Sequence, residues 1–292
     1  MITKIRAFLI RNWPIILIIP STFILRIWKL EDLFYFSYDE SIPAFKGKKV
    51  LTEHDISLIG GVTPFGLHLT PYFYWFSAIL LSISNLNPLI WGFFGALLSC
   101  LTVYLIYKVG IILDSKKLGL VSALLWSFSY LANMYDRHFW ALYFGPIVSL
   151  GSIFCLYMIS KGKMLFVYPL TLIFIIGMSA DLSNLPIILL ILFFWLRLKL
   201  PINKHAYLAI GIFLLSFLPL VLFDLRHNFA NTRPLLSWAT NEQEKAPIKN
   251  HRVIDNLLIF PRTFTRLIYT PGDNEVAKNY SYCYYHIEEK YQ

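Results

Sequence analysis

The sequence is short of charge, and of acid in particular. Asp, Glu, Lys and Arg make up 15% of its 292 residues, with 17 acids against 26 bases. A soluble chain of this length needs a polar shell over its core, and so few charges cannot make one. Cysteine is also sparse. Cys100, Cys155 and Cys283 form an odd set without metal-ligand or redox spacing, so neither a disulfide framework nor a zinc site follows. No glycine-rich nucleotide loop, His-Glu-x-x-His or Gly-x-Ser-x-Gly occurs, which argues against a nucleotide-driven pump and a serine hydrolase.

What the chain has in abundance is apolar surface: 57% of residues are hydrophobic, 17% are aromatic, and the mean hydropathy is +0.58. These values imply an all-α, multi-pass integral membrane helical bundle. The net charge of +9 is spread in short clusters between apolar runs. It reads as membrane topology rather than as a nucleic-acid surface. Lys4, Arg6 and Arg11 precede the first apolar run, and no small-residue cleavage site follows it, so a retained signal anchor is expected.

Eight apolar stretches approach spanning length: 13–30, 65–84, 89–112, 118–135, 139–159, 164–180, 183–198 and 206–223. If all eight crossed from a cytoplasmic N-terminus, Lys116-Lys117 and the basic loop from Arg197 to Lys204 would lie outside, against the positive-inside rule. Laying the second stretch along the outer surface brings the N-terminus, Lys116-Lys117, Lys161-Gly162-Lys163 and Arg197 to Lys204 to the cytoplasmic side. That stretch is interrupted by Gly60-Gly61, Pro64, Gly66, His68 and Pro71, and Tyr72, Phe73, Tyr74 and Trp75 suit an interface.

The expectation is therefore about seven spans in a module over 1–223. An outer loop over 31–88 holds interfacial helices, and 224–292 forms an extracytoplasmic polar tail or truncated C-terminal region. The first interfacial helix should start near Ser41 as its cap, with Pro43 in the first turn, Asp39 and Glu40 just ahead of it, and Lys46, Lys48 and Lys49 facing lipid phosphates.

This topology gathers Asp39, Glu40, Asp136, Asp181 and Asp224 on the outer face of a cell-membrane protein. In Tyr38-Asp39-Glu40 a carboxylate pair beside apolar surface fits a general base, or else two solvated acids favoured by the helix dipole. In Tyr135-Asp136-Arg137-His138, Arg137 fits a phosphate, or else forms a local ion pair with Asp136 that caps two helices. Phe223-Asp224-Leu225-Arg226-His227 again mixes acid, cation and imidazole at a span end, where such side chains also snorkel; the same applies to Arg26.

The order of four features resembles the GT-C superfamily of membrane glycosyltransferases, specifically bacterial protein mannosyltransferase and lipid A aminoarabinose transferase-like proteins. They are an Arg-containing first span followed by Tyr38-Asp39-Glu40, the stretch Leu58-Ile59-Gly60-Gly61 to Pro71-Tyr72-Phe73-Tyr74, the Asp136-Arg137 turn, and Leu218 to Phe229. The resemblance spans about residues 10–235. It implies inverting transfer of a sugar from a polyprenyl-phosphate-sugar donor to a protein, lipid or glycan acceptor hydroxyl on the outer face.

In that reading Asp39 is the base, and Glu40 orients it or helps to hold a divalent metal such as Mg or Mn. Arg137, with His138 or Arg226, steadies the departing phosphate. Where the lipid A transferases carry Glu-Lys before the aromatic run, this chain has His68-Leu69-Thr70, so His68 stands where a metal-binding acid would be. The competing classes are a multi-pass transporter or lipid flippase, whose ionisable groups would lie at mid-membrane, and an inactive shortened GT-C scaffold.

Overall fold

A computed structural model describes residues 2–34, 36, 38–63, 66–138, 140–234 and 261, with backbone alone for 2–11. The expected polar tail lies almost wholly outside the described residues. Their regular structure is helical, with one isolated antiparallel bridge between Val62 and His68 among the described residues.

In chain order the helices are α1 (Ile2–Ile27), a single turn α2 (Leu30–Leu33), α3 (Tyr38–Thr52), α4 (Tyr72–Ile83), α5 (Leu89–Leu113), α6 (Lys116–Phe128) and α7 (Tyr130–Tyr135). They continue with α8 (Gly145–Ser160), α9 (Val167–Ala180), α10 (Pro186–Arg197), α11 (Lys204–Leu215) and α12 (Leu218–Arg226). Short 3₁₀ turns at Ala141–Phe144 and Leu182–Asn184 lead into α8 and α10.

Three helical stretches are long and apolar enough to cross a membrane: Leu89–Leu113, Ala141–Ser160 and Lys204–Arg226. The apolar stretches Asn12–Ile27, Met164–Ala180 and Leu182–Arg197 are shorter among the described residues. The second apolar stretch yields only the 12 residues of α4. At 1.5 Å per residue that is about 18 Å, well short of the roughly 30 Å of hydrocarbon.

Two local expectations change. The first interfacial helix starts at Tyr38 rather than Ser41, so Asp39 and Glu40 lie inside its first turn. The Ser41 hydroxyl bonds back to the Tyr38 carbonyl at 2.6 Å instead of capping. Starting earlier also moves Pro43 past the first turn, where its missing N–H leaves the Asp39 carbonyl without a helical donor.

The stretch read as one span over 118–135 is broken. Ser129 is extended, and its hydroxyl accepts from Ala132 N to cap a fresh helix, α7.

Three apolar clusters hold the bundle. Ile15, Ile18, Val103, Tyr107 and Ala123 join α1, α5 and α6, while Cys155, Leu156, Ile159, Leu170 and Ala209 join α8, α9 and α11. Between α4, α5, α8 and α9 lies the third, with Phe73, Leu81, Trp91, Phe144, Val148 and Phe174. Gly110 and Gly119 let α5 and α6 touch backbone to backbone, since a Cβ on Gly110 would sit 2.5 Å from the Gly119 Cα. Lying across this bundle, α3 packs on α4. The Ser77 hydroxyl donates to the Pro43 carbonyl at 2.7 Å, and Gly47 removes the Cβ that would strike Ser77.

Candidate functional site

A groove of about 920 Å³ that carries several ionisable side chains opens between α3, the 57–69 loop, the start of α4, Trp140-Ala141 and the α9–α10 connection. On α3 the spacing Asp39, Ile42, Pro43, Lys46 places one face of the helix along this wall. The ionisable lining is Asp39, Lys46, His68 and Asp181. Asp39 is exposed and has no hydrogen-bond or ion-pair partner among the described residues. Asp181 spends one oxygen on Ser183 N at 2.7 Å, capping the 3₁₀ turn ahead of α10.

Beside this groove runs a second cleft of about 320 Å³, walled almost entirely by apolar side chains that include Phe76, Phe94, Leu98, Ile147 and Ile173. Phe73 and Ser179 line both spaces, so the acid-bearing groove and the apolar cleft are neighbours.

The loop wall is shaped by a small hairpin. Gly60 N donates to Leu69 O at 2.7 Å, Leu69 N to Gly61 O at 2.9 Å, and Thr63 N to Leu67 O at 2.7 Å. A Cβ on Gly60 would lie 2.3 Å from the Thr70 carbonyl oxygen, so only glycine permits this closure.

The hairpin is clasped by the far end of the described chain. Asn231 accepts from His68 N at 2.6 Å and donates to His68 O at 3.5 Å. Asp224 in turn fixes Asn231, accepting from its backbone N at 2.7 Å, and also accepts from the Thr232 hydroxyl. Asp224 therefore shapes the wall from behind, itself buried. His68 reaches the groove with Nδ1 buried and unpartnered among the described residues, its ring 6.1 Å from that of Phe223.

Glu40 points the other way. It is only 2% exposed and meets His138 Nδ1 at 3.1 Å, tying the first turn of α3 to the turn after α7. Among the described residues no three His, Cys, Asp or Glu side chains gather.

The other expected residues take different positions. Asp136 does not pair with Arg137; its Oδ2 accepts from Arg26 Nε at 3.0 Å and from the Ser99 hydroxyl at 2.5 Å. Arg26 does not snorkel but is fully buried, and its remaining nitrogens donate to Ser127 O at 2.5 Å and Trp126 O at 3.3 Å. The break before α7 leaves the Ser127 carbonyl without a helical donor, while the Trp126 carbonyl also accepts from Ser129 N at 3.3 Å. Asn133 Nδ2 also donates to Ser127 O, at 3.1 Å, and the Tyr143 hydroxyl donates to the Asp136 carbonyl. Burial lifts the Asp136 carboxyl above its ordinary range, against the opposing pull of Arg26 and Ser99.

Arg137 closes the C-terminal end of α1, donating to Leu25 O at 2.7 Å, Arg26 O at 3.1 Å and Trp28 O at 3.4 Å. Neither Arg137 nor His138 lines the two large clefts, and Arg226 is exposed at the end of α12. Tyr38 is 79% exposed and also outside the groove.

The structure thus unites Asp39 and His68 with Lys46, Asp181 and Trp140, which the sequence reading left out of the site. Spacing on α3 was the available signal for Lys46, since it lies two turns from Asp39 on the same face. Comparison with protein-family models, curated proteins and solved structures finds no match to this chain.

Proposed function

We propose that the protein is an inverting membrane glycosyltransferase that moves a sugar from a polyprenyl-phosphate carrier to an acceptor hydroxyl at the membrane surface. One observation carries this reading: Asp39, exposed and unpartnered among the described residues, stands on the wall of a groove, lined in part by charged side chains, that adjoins an apolar cleft through Phe73 and Ser179. A lipid-linked sugar needs both surfaces at once, a wet chamber for the saccharide and a greasy one for the isoprenoid.

In the reaction the Asp39 carboxylate takes the proton from the acceptor hydroxyl as that oxygen bonds to the anomeric carbon. The bond from the anomeric carbon to the phosphate oxygen breaks on the opposite side, and polyprenyl phosphate leaves with the electron pair. Attack from the face opposite the leaving group inverts the configuration. Placement in the first turn of α3 suits an acid that works as an anion, because the helix dipole favours negative charge there. Glu40 and His138 support this by pinning the turn that carries Asp39.

The test is incubation of the lipid-reconstituted protein and its Asp39→Asn form with a panel of polyprenyl-phosphate sugars, following donor loss by mass spectrometry. Loss of one donor that depends on Asp39 is expected; undiminished transfer by Asp39→Asn overturns the assignment.

The transporter reading has one observation in its favour, a helix broken at Ser129 beside the buried charges Arg26 and Asp136. Those charges are spent on each other and on the Ser127 and Trp126 carbonyls. They leave little to offer a passing ion.

A further inference from the structure

The leaving phosphate in such a reaction gathers negative charge and needs a cation within reach. Arg137 is turned into the carbonyls that end α1, and Arg226 lies at the exposed end of α12. Among the residues lining the groove, Lys46 is the one Lys or Arg. It is half-buried and has no ion-pair or hydrogen-bond partner among the described residues.

Lys46 shares its helix face with Asp39, Ile42 and Pro43, and stands about 10 Å along the axis from Asp39, at 1.5 Å per residue. A base at one end of a groove and a flexible ammonium at the other are spaced to flank a sugar whose anomeric carbon lies between acceptor and phosphate. The apolar cleft shares Phe73 and Ser179 with the groove and offers a neighbouring surface for a tail.

We infer that Lys46 is the phosphate-recognition residue of the groove, gripping the phosphate of a single-chain prenyl phosphate whose tail enters the cleft beside Phe73. The inference rests on the groove being the donor site of the proposed transferase. It replaces a lysine facing bulk lipid headgroups with one facing a bound ligand. A lysine suits the task because its compact, mobile charge follows the phosphate as the bond to the sugar opens.

The probes are farnesyl phosphate, farnesol and inorganic phosphate, titrated calorimetrically into the protein in phosphatidylcholine nanodiscs. Wild type should bind farnesyl phosphate more tightly than farnesol, and inorganic phosphate weakly. Lys46→Met should weaken farnesyl phosphate about tenfold and leave farnesol within about twofold, while Lys46→Arg keeps most of the preference. Lys48→Met, on an exposed position of the same helix, should match wild type.

A full preference for phosphate over alcohol in Lys46→Met overturns the inference. So does an equal loss in Lys48→Met, which would mean attraction of anions by general surface charge. Inorganic phosphate binding as tightly as farnesyl phosphate overturns the lipid assignment. The outcome separates from that of the transferase reading. Lys46-dependent binding without consumption of any donor sinks transfer alone, and donor consumption with the preference intact in Lys46→Met sinks this inference alone.

Discussion

The Arg26–Asp136 pair and the Asp39–Lys46 face use the same kinds of charge in opposite ways. In the first, both groups are buried and pointed at each other, and further polar groups join in: Ser99 on the acid, and the Ser127 and Trp126 carbonyls on the base. In the second, acid and base stand two turns apart on one helix, open to a groove and committed to nothing else among the described residues. Charges that satisfy one another hold helices together; charges held apart at a cavity wall are available to a ligand. The contrast teaches that location at a span end does not separate structural from chemical residues, whereas the partners do.

The largest effect expected from breaking this contrast is catalytic. Asp39→Asn should lower donor turnover by about 10²–10⁴-fold, the usual worth of a positioned base, with thermal unfolding unchanged because the side chain holds no structure. A matching loss of stability would place Asp39 on the structural side instead.

Next comes the buried pair. Arg26→Met alone should cost about 3–5 kcal/mol by stranding the buried Asp136 carboxylate and removing one donor from each of two carbonyls, measured by thermal or denaturant unfolding in detergent. Adding Asp136→Leu should recover part of that cost, since replacing both ions is gentler than removing one. A double variant no better than the single would show that the lost carbonyl contacts, not the stranded acid, dominate.

A smaller effect is expected where the two regions meet. Glu40→Leu should cost about 1–3 kcal/mol through the orphaned His138 contact, and should also loosen the first turn of α3. Hydrogen exchange at 38–42 rising well above that of the rest of α3 would register it. Protection equal to wild type would detach Glu40 from the positioning of Asp39.

The faintest perturbation reads topology. Cysteines introduced at Gly61, where the nearest atom to a Cβ is the Tyr74 hydroxyl at 3.7 Å, and at Ser84, just past α4, should both react with an impermeant reagent from the outer face. Labelling of the second from the opposite face alone would make α4 a crossing segment.

Much of the fold could be read from composition, because apolar runs bounded by charged turns have few ways to exist outside helices in lipid. The weakness of the second run as a span was visible in its glycines and prolines, and α4 is indeed short. What escaped was tertiary. Nothing local announces that Ser129 restarts a helix within an apolar run, because the freed Ser127 carbonyl is met by an arginine about 100 residues earlier.

The same distance hid Asp136's true partner: the adjacent Arg137 was the natural guess, and the bond runs instead to Arg26 across 110 positions. Asp39 was marked out in the sequence by its setting, and it lines the groove. Glu40 was not separable from it by sequence, since adjacent residues on a helix point about 100° apart and only the packed structure shows which side faces the groove.

The clasp of Asn231 on both backbone groups of His68 spans 163 positions. The wall of the groove is consequently held by a part of the chain that leaves the ribosome long after the wall itself. During synthesis the hairpin must wait in an unfinished state while α5 to α12 are made. A nascent chain halted before Asn231 would carry Asp39, Lys46 and His68 in full but lack the latch that sets the wall. Ligand competence should therefore arrive late and abruptly, as a property of the whole insertion sequence rather than of the segment that bears the acid.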